Sequence, residues 1–213
     1  MRVIGVLGGT FNPIHYGHLR MAQELADALE LSEVRFIPSA NPPHKTMPTT
    51  SAQHRAAMVQ LAIADNPLFK LDLRELARAG LSYTIDTLIS LREELGEENA
   101  LCLIMGNDAF LKLNTWYRWQ ALLDYCHILL VQRSASGSQP KLPEALAALL
   151  HDHYTENSDD LVSKANGCIH MQTVTPLTIS STNIRDIFNA GTSIRYLLPS
   201  EVMDYMTKHR LYL

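Results

Sequence analysis

The side chains with chemistry to offer concentrate in one stretch near the start of the chain, Gly8, Gly9, Thr10, Phe11, Asn12, Pro13, Ile14, His15, Tyr16, Gly17 and His18. An apolar, strand-like run from Val3 to Leu7 precedes it, and a helical stripe of Leu19, Ala22, Leu25, Ala26 and Leu29 follows. A turn between the carboxyl end of a strand and the start of a helix is where open α/β sheets bind ligands, and its free N–H groups and helix dipole attract anions. The glycines admit close backbone approach, Pro13 stiffens the turn, and His15 and His18, three residues apart, face one side of the first helical turn. Two imidazoles there can hydrogen-bond successive phosphate oxygens and balance the charge that grows in phosphoryl or nucleotidyl transfer. Spacing alone equally admits a zinc pair or two structural histidines. Neither G-x-G-x-x-G nor G-x-x-x-x-G-K-[ST] occurs in the segment, which weakens dinucleotide, kinase and ATPase readings.

A second cluster lies far along the chain. Ser180, Thr182 and Arg185 combine hydroxyls at a helix start with an arginine one turn on, a potential second anion clamp. Taken alone, it is equally an ordinary serine cap followed by a solvated arginine.

The first segment matches every fixed position of G-x-F-x-P-x-H-x-G-H through Gly9, Phe11, Pro13, His15, Gly17 and His18, and so resembles the nucleotidylyltransferase superfamily. Ser180, Thr182 and Arg185 resemble that superfamily's I-S-x-T-x-x-R motif, while Asn12 stands where aspartate is common. Four further clusters look like those of bacterial nicotinate-mononucleotide adenylyltransferases: Asn41 with His44 and Lys45, Ser82 with Tyr83 and Thr84, Gly106 with Asp108, and Thr115 with Trp116 and Tyr117. The likeness spans nearly the whole chain and is weakest over residues 134–166.

That resemblance implies transfer of AMP from ATP to nicotinate mononucleotide, giving nicotinate adenine dinucleotide and pyrophosphate, with Mg2+ accompanying ATP. It implies His15, His18 and Arg185 as catalytic residues. The ATP site would comprise these with Gly8, Gly9, Thr10, Phe11, Gly106, Asp108, Arg133, Ser180 and Thr182. His44, Lys45, Tyr83, Thr84, Ile85, Trp116 and Tyr117 would hold the mononucleotide. Trp116 would stack on the pyridine, and main-chain N–H groups near Ile85 and Tyr117 would take the carboxylate. An amide in its place would cost about 1–3 kcal/mol by leaving a donor facing an NH2 group. Asp108 has two open roles, ribose or Mg2+. No metal is assigned to protein side chains, His151 and His153 reading as a solvated helix end. An aminoacyl-tRNA synthetase fragment shares H-x-G-H but would carry a K-M-S-K-S loop, which is absent. Other acceptors and a non-catalytic nucleotide sensor remain as competing readings.

These residues need a scaffold, and the chain supplies alternating strand and helix signals. Strands are expected at residues 3–7, 34–38, 69–73, 100–105 and 127–131, with Ser51 and Ser180 capping helices, Gly96 and Gly191 ending them, and Pro199 opening the last at its first position. The expectation is one α/β nucleotidyltransferase domain over residues 1–213, a Rossmann-like doubly wound parallel sheet with a probable insertion at 134–166 and a small helical portion at 180–213. The resemblance adds the strand order 3-2-1-4-5.

Composition bounds the rest. With 213 residues, 46% hydrophobic, 19% charged and a net charge of −4, the chain has enough apolar sequence for a core and no global basic field for nucleic acid. No apolar run approaches the ~20 residues of a membrane span, and no signal-like start is present, so a soluble, cytoplasmic protein is expected. Cys102, Cys126 and Cys168 read as buried thiols. Oligomeric state is not encoded in any legible pattern.

Overall fold

The computed structural model describes residues 1–42, 50–132 and 142–213. Its architecture follows from alternation along three central strands. In β1 (Arg2–Gly9), Val3 and Leu7 enter one core while Ile4 and Val6 enter another. In β4 (Asn99–Gly106), Ala100, Cys102 and Ile104 separate in the same way from Leu101, Leu103 and Met105. In β5 (His127–Gln132), Leu129 and Val131 separate from Ile128 and Leu130. Strands apolar on both faces must be covered on both faces, which is the condition met by parallel sheets with helical crossovers.

The remaining strands are β2 (Glu33–Pro38), β3 (Phe69–Leu71), β6 (Tyr154–Thr155) and β7 (Ile169–Thr173), and the sheet runs β3-β2-β1-β4-β5-β7-β6 with every pair parallel. The expected order 3-2-1-4-5 is its core, extended at one edge by two strands. The helices are α1 (Tyr16–Ala28), α2 (Ala52–Ala62), α3 (Arg74–Ala77), α4 (Thr84–Leu95), α5 (Asn107–Phe110), α6 (Glu144–His153), α7 (Asp160–Ser163), α8 (Ser181–Asn189) and α9 (Ser200–Lys208). Leu25 of α1, Met58 of α2, Ile184 of α8 and Val202 of α9 fill the first core; Leu88 of α4 and Leu146 of α6 fill the second.

Both serine caps form. Ser51 Oγ accepts from His54 N at 3.3 Å and Ser180 Oγ from Asn183 N at 3.1 Å. Gly96 closes α4 with φ of 70°, a left-handed conformation that glycine adopts without a Cβ penalty. Pro199 is not the first helical residue as expected but the residue before it, with extended backbone, and Ser200 begins α9. Within residues 142–166, β6 pairs with β7, and Leu146 and Leu161 are buried, so this stretch contributes to the sheet and to both cores.

All three cysteines are free and buried. Burial pushes the Cys126 thiol up to about 12 and Cys102 higher still, so neither supplies a thiolate near neutral pH. His151 is exposed, whereas His153 is half-buried with Nδ1 2.8 Å from the Gly167 carbonyl, a structural bond rather than a solvated end. Among the described residues no helix is long and apolar enough to cross a membrane.

Candidate active site

The turn after β1 is shaped by where its carbonyls go. Gly9 O accepts from Ser39 N (2.8 Å), Thr10 O from Arg55 Nη1 (2.6 Å), Asn12 O from Arg185 Nη1 (2.7 Å) and Pro13 O from Ser181 Oγ (2.8 Å). His15 O accepts from His18 N at 2.9 Å and Leu19 N at 3.3 Å, the first bonds of α1. These oxygens are therefore occupied by protein donors, and the turn's electronegative side is neutralised before any ligand arrives.

Its side chains are equally constrained. Phe11, with φ of 47°, is buried against Phe36 and meets the His18 ring edge-on at 5.2 Å. A Cβ at Gly9 would lie 3.0 Å from the Phe11 ring, and one at Gly17 would lie 3.0 Å from the His15 ring. The two motif glycines thus make room for two motif rings. His15 and His18 stack with centroids 3.8 Å apart and planes 25° from parallel, the same-side arrangement that their spacing implies.

A cavity of about 490 Å³ opens beside this turn. Gly8, Gly9 and Thr10 line it from the end of β1, Gly106 and Asp108 from the end of β4 and the start of α5, Tyr83 and Thr84 from the start of α4, and Trp116 and Tyr117 from the segment after α5. Residues scattered over more than a hundred positions converge because strand ends in a parallel sheet share one edge. Trp116 is half-buried against the second core, and the Tyr83 and Tyr117 rings approach to 4.6 Å. Ile85 buries its side chain in that core, leaving its main-chain N–H in the first turn of α4, where no intrahelical acceptor exists.

Other expected site residues stand behind or beside the cavity. Phe11 and His15 are buried and His18 is half-buried, in the turn whose Gly8, Gly9 and Thr10 line the cavity. Of the second cluster, Arg185 reaches the turn through Asn12 O, whereas Ser180 Oγ caps α8 on Asn183 N and Thr182 Oγ1 accepts from Arg185 Nη2 at 3.2 Å; it is the neighbouring Ser181 that bonds Pro13, and none of the three lines the cavity. Arg185 lines a second hollow with His54, Arg210 and Tyr212. Asn12, the departure from the superfamily motif, accepts from Tyr212 Oη through Oδ1 at 2.6 Å. His44, Lys45 and Arg133 lie outside the described residues.

Two further residues shape the part of the cavity beside the start of α4, one of them, Glu75, not singled out in sequence. Ser82, seen only as part of a motif, accepts from Ala40 N and Asn41 N through Oγ, both at 3.1 Å, tying the end of β2 to the start of α4. Glu75 of α3 lines the cavity although only 7% exposed, and its Oε1 accepts from Thr87 Oγ1 at 2.8 Å. Burial raises its pKa above the ordinary carboxyl value, opposed by the Thr87 and Ser82 hydroxyls and by Arg78. In sequence, Glu75 reads as one more charge on a short polar helix, with no spacing signal to single it out.

The parallel sheet with its cavity at the carboxyl ends of the strands makes this an α/β protein of Rossmann-like architecture. A family model described as cytidylyltransferase-like matches residues 6–187, and the chain belongs to that family. Among its relatives is the "probable nicotinate-nucleotide adenylyltransferase" of Aeromonas salmonicida (strain A449), 49% identical over 98% of this chain and 96% of the relative. The protein of the same name from Halorhodospira halophila is 48% identical over 95% of this chain and 91% of the relative. In fold the chain is similar to a Plasmodium falciparum nicotinic acid mononucleotide adenylyltransferase complexed with NaAD, at 18% identity and a TM-score of 0.73 over 100% of this chain and 98% of the other.

The raised Glu75 pKa fixes the sign of one stability effect. The folded state binds the Glu75 proton more tightly than the unfolded state, so this group's contribution weakens as pH rises from the unfolded carboxyl value through the folded one. Glu75→Gln keeps an acceptor for Thr87 and removes the titration. Urea unfolding at pH 5 and pH 8 should show the variant gaining stability relative to the parent at the higher pH; an unchanged difference would mean that Glu75 does not carry this penalty.

Proposed function

We propose that this protein transfers AMP from ATP to nicotinate mononucleotide, forming nicotinate adenine dinucleotide and pyrophosphate in NAD biosynthesis. One observation carries the reading: the glycine-rich turn, Asp108 and the pair Trp116 and Thr84 open onto a single cavity. The close similarity to nicotinate-nucleotide adenylyltransferases supports it.

In this reaction an oxygen of the mononucleotide's 5′-phosphate attacks the α-phosphorus of ATP. A new P–O bond forms, the bond to the β-phosphate bridge breaks, and pyrophosphate leaves with the electron pair. The nucleophile is already anionic, so no side chain need abstract a proton. The protein's tasks are to hold two like-charged groups in line and to neutralise the charge passing to the leaving group. Positioning of this kind supplies roughly 7–11 kcal/mol of a barrier, and one preorganised donor about 3–4.

Roles then follow for the chain's own residues. Gly8, Gly9 and Thr10 admit the triphosphate close to the backbone, and the stacked His15 and His18 present ring N–H groups to its oxygens. Arg185 braces the turn through Asn12 O, and Ser180 and Thr182 order the start of α8 beside it. Gly106 leaves the end of β4 open to the nucleotide, and Arg133, beyond β5, completes the ATP contacts. Trp116 stacks on the pyridine beside Tyr83, while main-chain N–H groups near Ile85 and Tyr117, with Thr84 nearby, take the carboxylate. His44 and Lys45 contact the mononucleotide.

The family's ATP chemistry calls for a divalent cation, here Mg2+. A small hard cation of this kind takes oxygen donors, which triphosphate oxygens and a carboxylate would supply. Asp108, exposed at the start of α5, is the carboxylate placed to meet it or the ribose. Such a cation would neutralise phosphate charge. The whole chain acts as one domain in the cytoplasm.

Pyrophosphate release is the direct test, measured with ATP or CTP against nicotinate mononucleotide, its nicotinamide counterpart, phosphopantetheine and glycerol phosphate. ATP with nicotinate mononucleotide should be the best pair, with the nicotinamide acceptor about ten- to a hundredfold less efficient. Equal efficiency would remove the carboxylate clamp, and preference for another acceptor would replace the assignment. His18→Ala should lower turnover by about two decades or more with the fold intact by circular dichroism; normal turnover refutes its role. Trp116→Ala should raise the mononucleotide's KM with that for ATP little changed, and the reverse pattern would move Trp116 to the other substrate.

A further inference from the structure

Among the described residues Arg55 is the largest fully buried side chain, 1% exposed, on the face of α2 that packs against the sheet. Among those residues its guanidinium donates to backbone carbonyls: Nη1 to Thr10 O at 2.6 Å, Nη2 to Ser39 O at 2.6 Å and Ala40 O at 3.5 Å, and Nε to Thr50 O at 3.4 Å. Among the described residues it forms no ion pair. The remaining segments, 43–49 and 133–141, contain neither Asp nor Glu, so no carboxylate from them can pair with it. Burial lowers its pKa from the ordinary value, only partly opposed by Glu75 and by the Tyr212 phenol, which is itself uncharged at neutral pH, yet a guanidinium remains protonated there.

A buried charge is costly to desolvate, and native proteins ordinarily pair it with an opposite charge. Here the two shortest bonds end on Thr10 and Ser39, and both residues line the cavity. The same two bonds join the glycine-rich turn after β1 to the segment after β2, fixing the width of that edge of the site. A polyphosphate against Gly8, Gly9 and Thr10 would lie just across the turn from the guanidinium and would add negative charge to the little that Glu75 contributes there.

We infer that Arg55 is a built-in countercharge and clamp for the polyphosphate end of the cavity, a positioning residue that holds Thr10 and Ser39 in place and whose charge is balanced by the bound substrate. The inference rests on the triphosphate reading given above. It adds a cation that never touches substrate and that accounts for a buried, carboxylate-free arginine in an otherwise apolar helix face.

Inorganic tripolyphosphate separates the two ideas because it probes the anion site without adenine, pyridine or turnover. Its affinity for the parent protein, Arg55→Lys, Arg55→Met and Arg55→Gln is measured by calorimetry, at a temperature where circular dichroism shows each variant folded. The parent should bind tripolyphosphate; failure to do so overturns the polyphosphate site itself. Arg55→Met and Arg55→Gln should bind it at least tenfold more weakly, while Arg55→Lys, with the charge retained, stays within about threefold of the parent. Neutral variants binding as tightly as the parent would overturn the countercharge alone, as would a lysine variant weakened as much as the neutral ones, which would leave only a structural bracket. If neither neutral variant folds, the lysine variant decides: near-parental affinity upholds the inference, and a tenfold loss overturns it.

Discussion

An anion site built from backbone N–H groups has an inherent difficulty, because every donor belongs to a peptide unit whose carbonyl repels the same ligand. The turn after β1 resolves this by giving its carbonyls to donors elsewhere in the protein. Ser39, Arg55, Arg185 and Ser181 take those of Gly9, Thr10, Asn12 and Pro13, and the first turn of α1 takes that of His15. The remainder of the site depends on this satisfaction of acceptors. It lets the turn stay tight around Phe11 and the stacked histidines while the glycines leave the cavity side open.

The two ends of the cavity are held by different means. Beside the glycine-rich turn the fixing groups are cations and hydroxyls on backbone oxygens. Beside the start of α4 they are the Ser82 hydroxyl on Ala40 and Asn41, the Thr87 and Glu75 pair, and the aromatic group of Tyr83, Trp116 and Tyr117. Charge at one end and aromatic surface at the other match a reaction that joins two phosphates while selecting a pyridine ring.

Much of this was legible from sequence because it depended on local rules. Strand and helix periodicity marked the five central strands, Ser51 and Ser180 announced their caps, and the histidine spacing implied rings on one side. Periodicity could not give the strand order, which came from the resemblance. The strands β6 and β7, the short helices α3, α5 and α7, and the position of Pro199 escaped because a few residues hold too little pattern for tertiary packing not to override. Arg55 and Glu75 escaped for another reason. Each looks like a surface charge until the fold buries it, and only coordinates reveal that the arginine is surrounded by carbonyls and the glutamate by hydroxyls.

The bonds from Ser181 and Arg185 to the turn span 168 and 173 residues of chain, and the one from Tyr212 to Asn12 spans 200. During synthesis, the amino-terminal histidines would therefore emerge from the ribosome long before the segments that brace their turn. Contacts of such high sequence separation bear the full loop-closure entropy before they contribute any order. A growing chain that has made β1 to β5 would still lack the donors that brace this turn, so ATP would find its binding partner only after Ser181, Arg185 and Tyr212 have also been made.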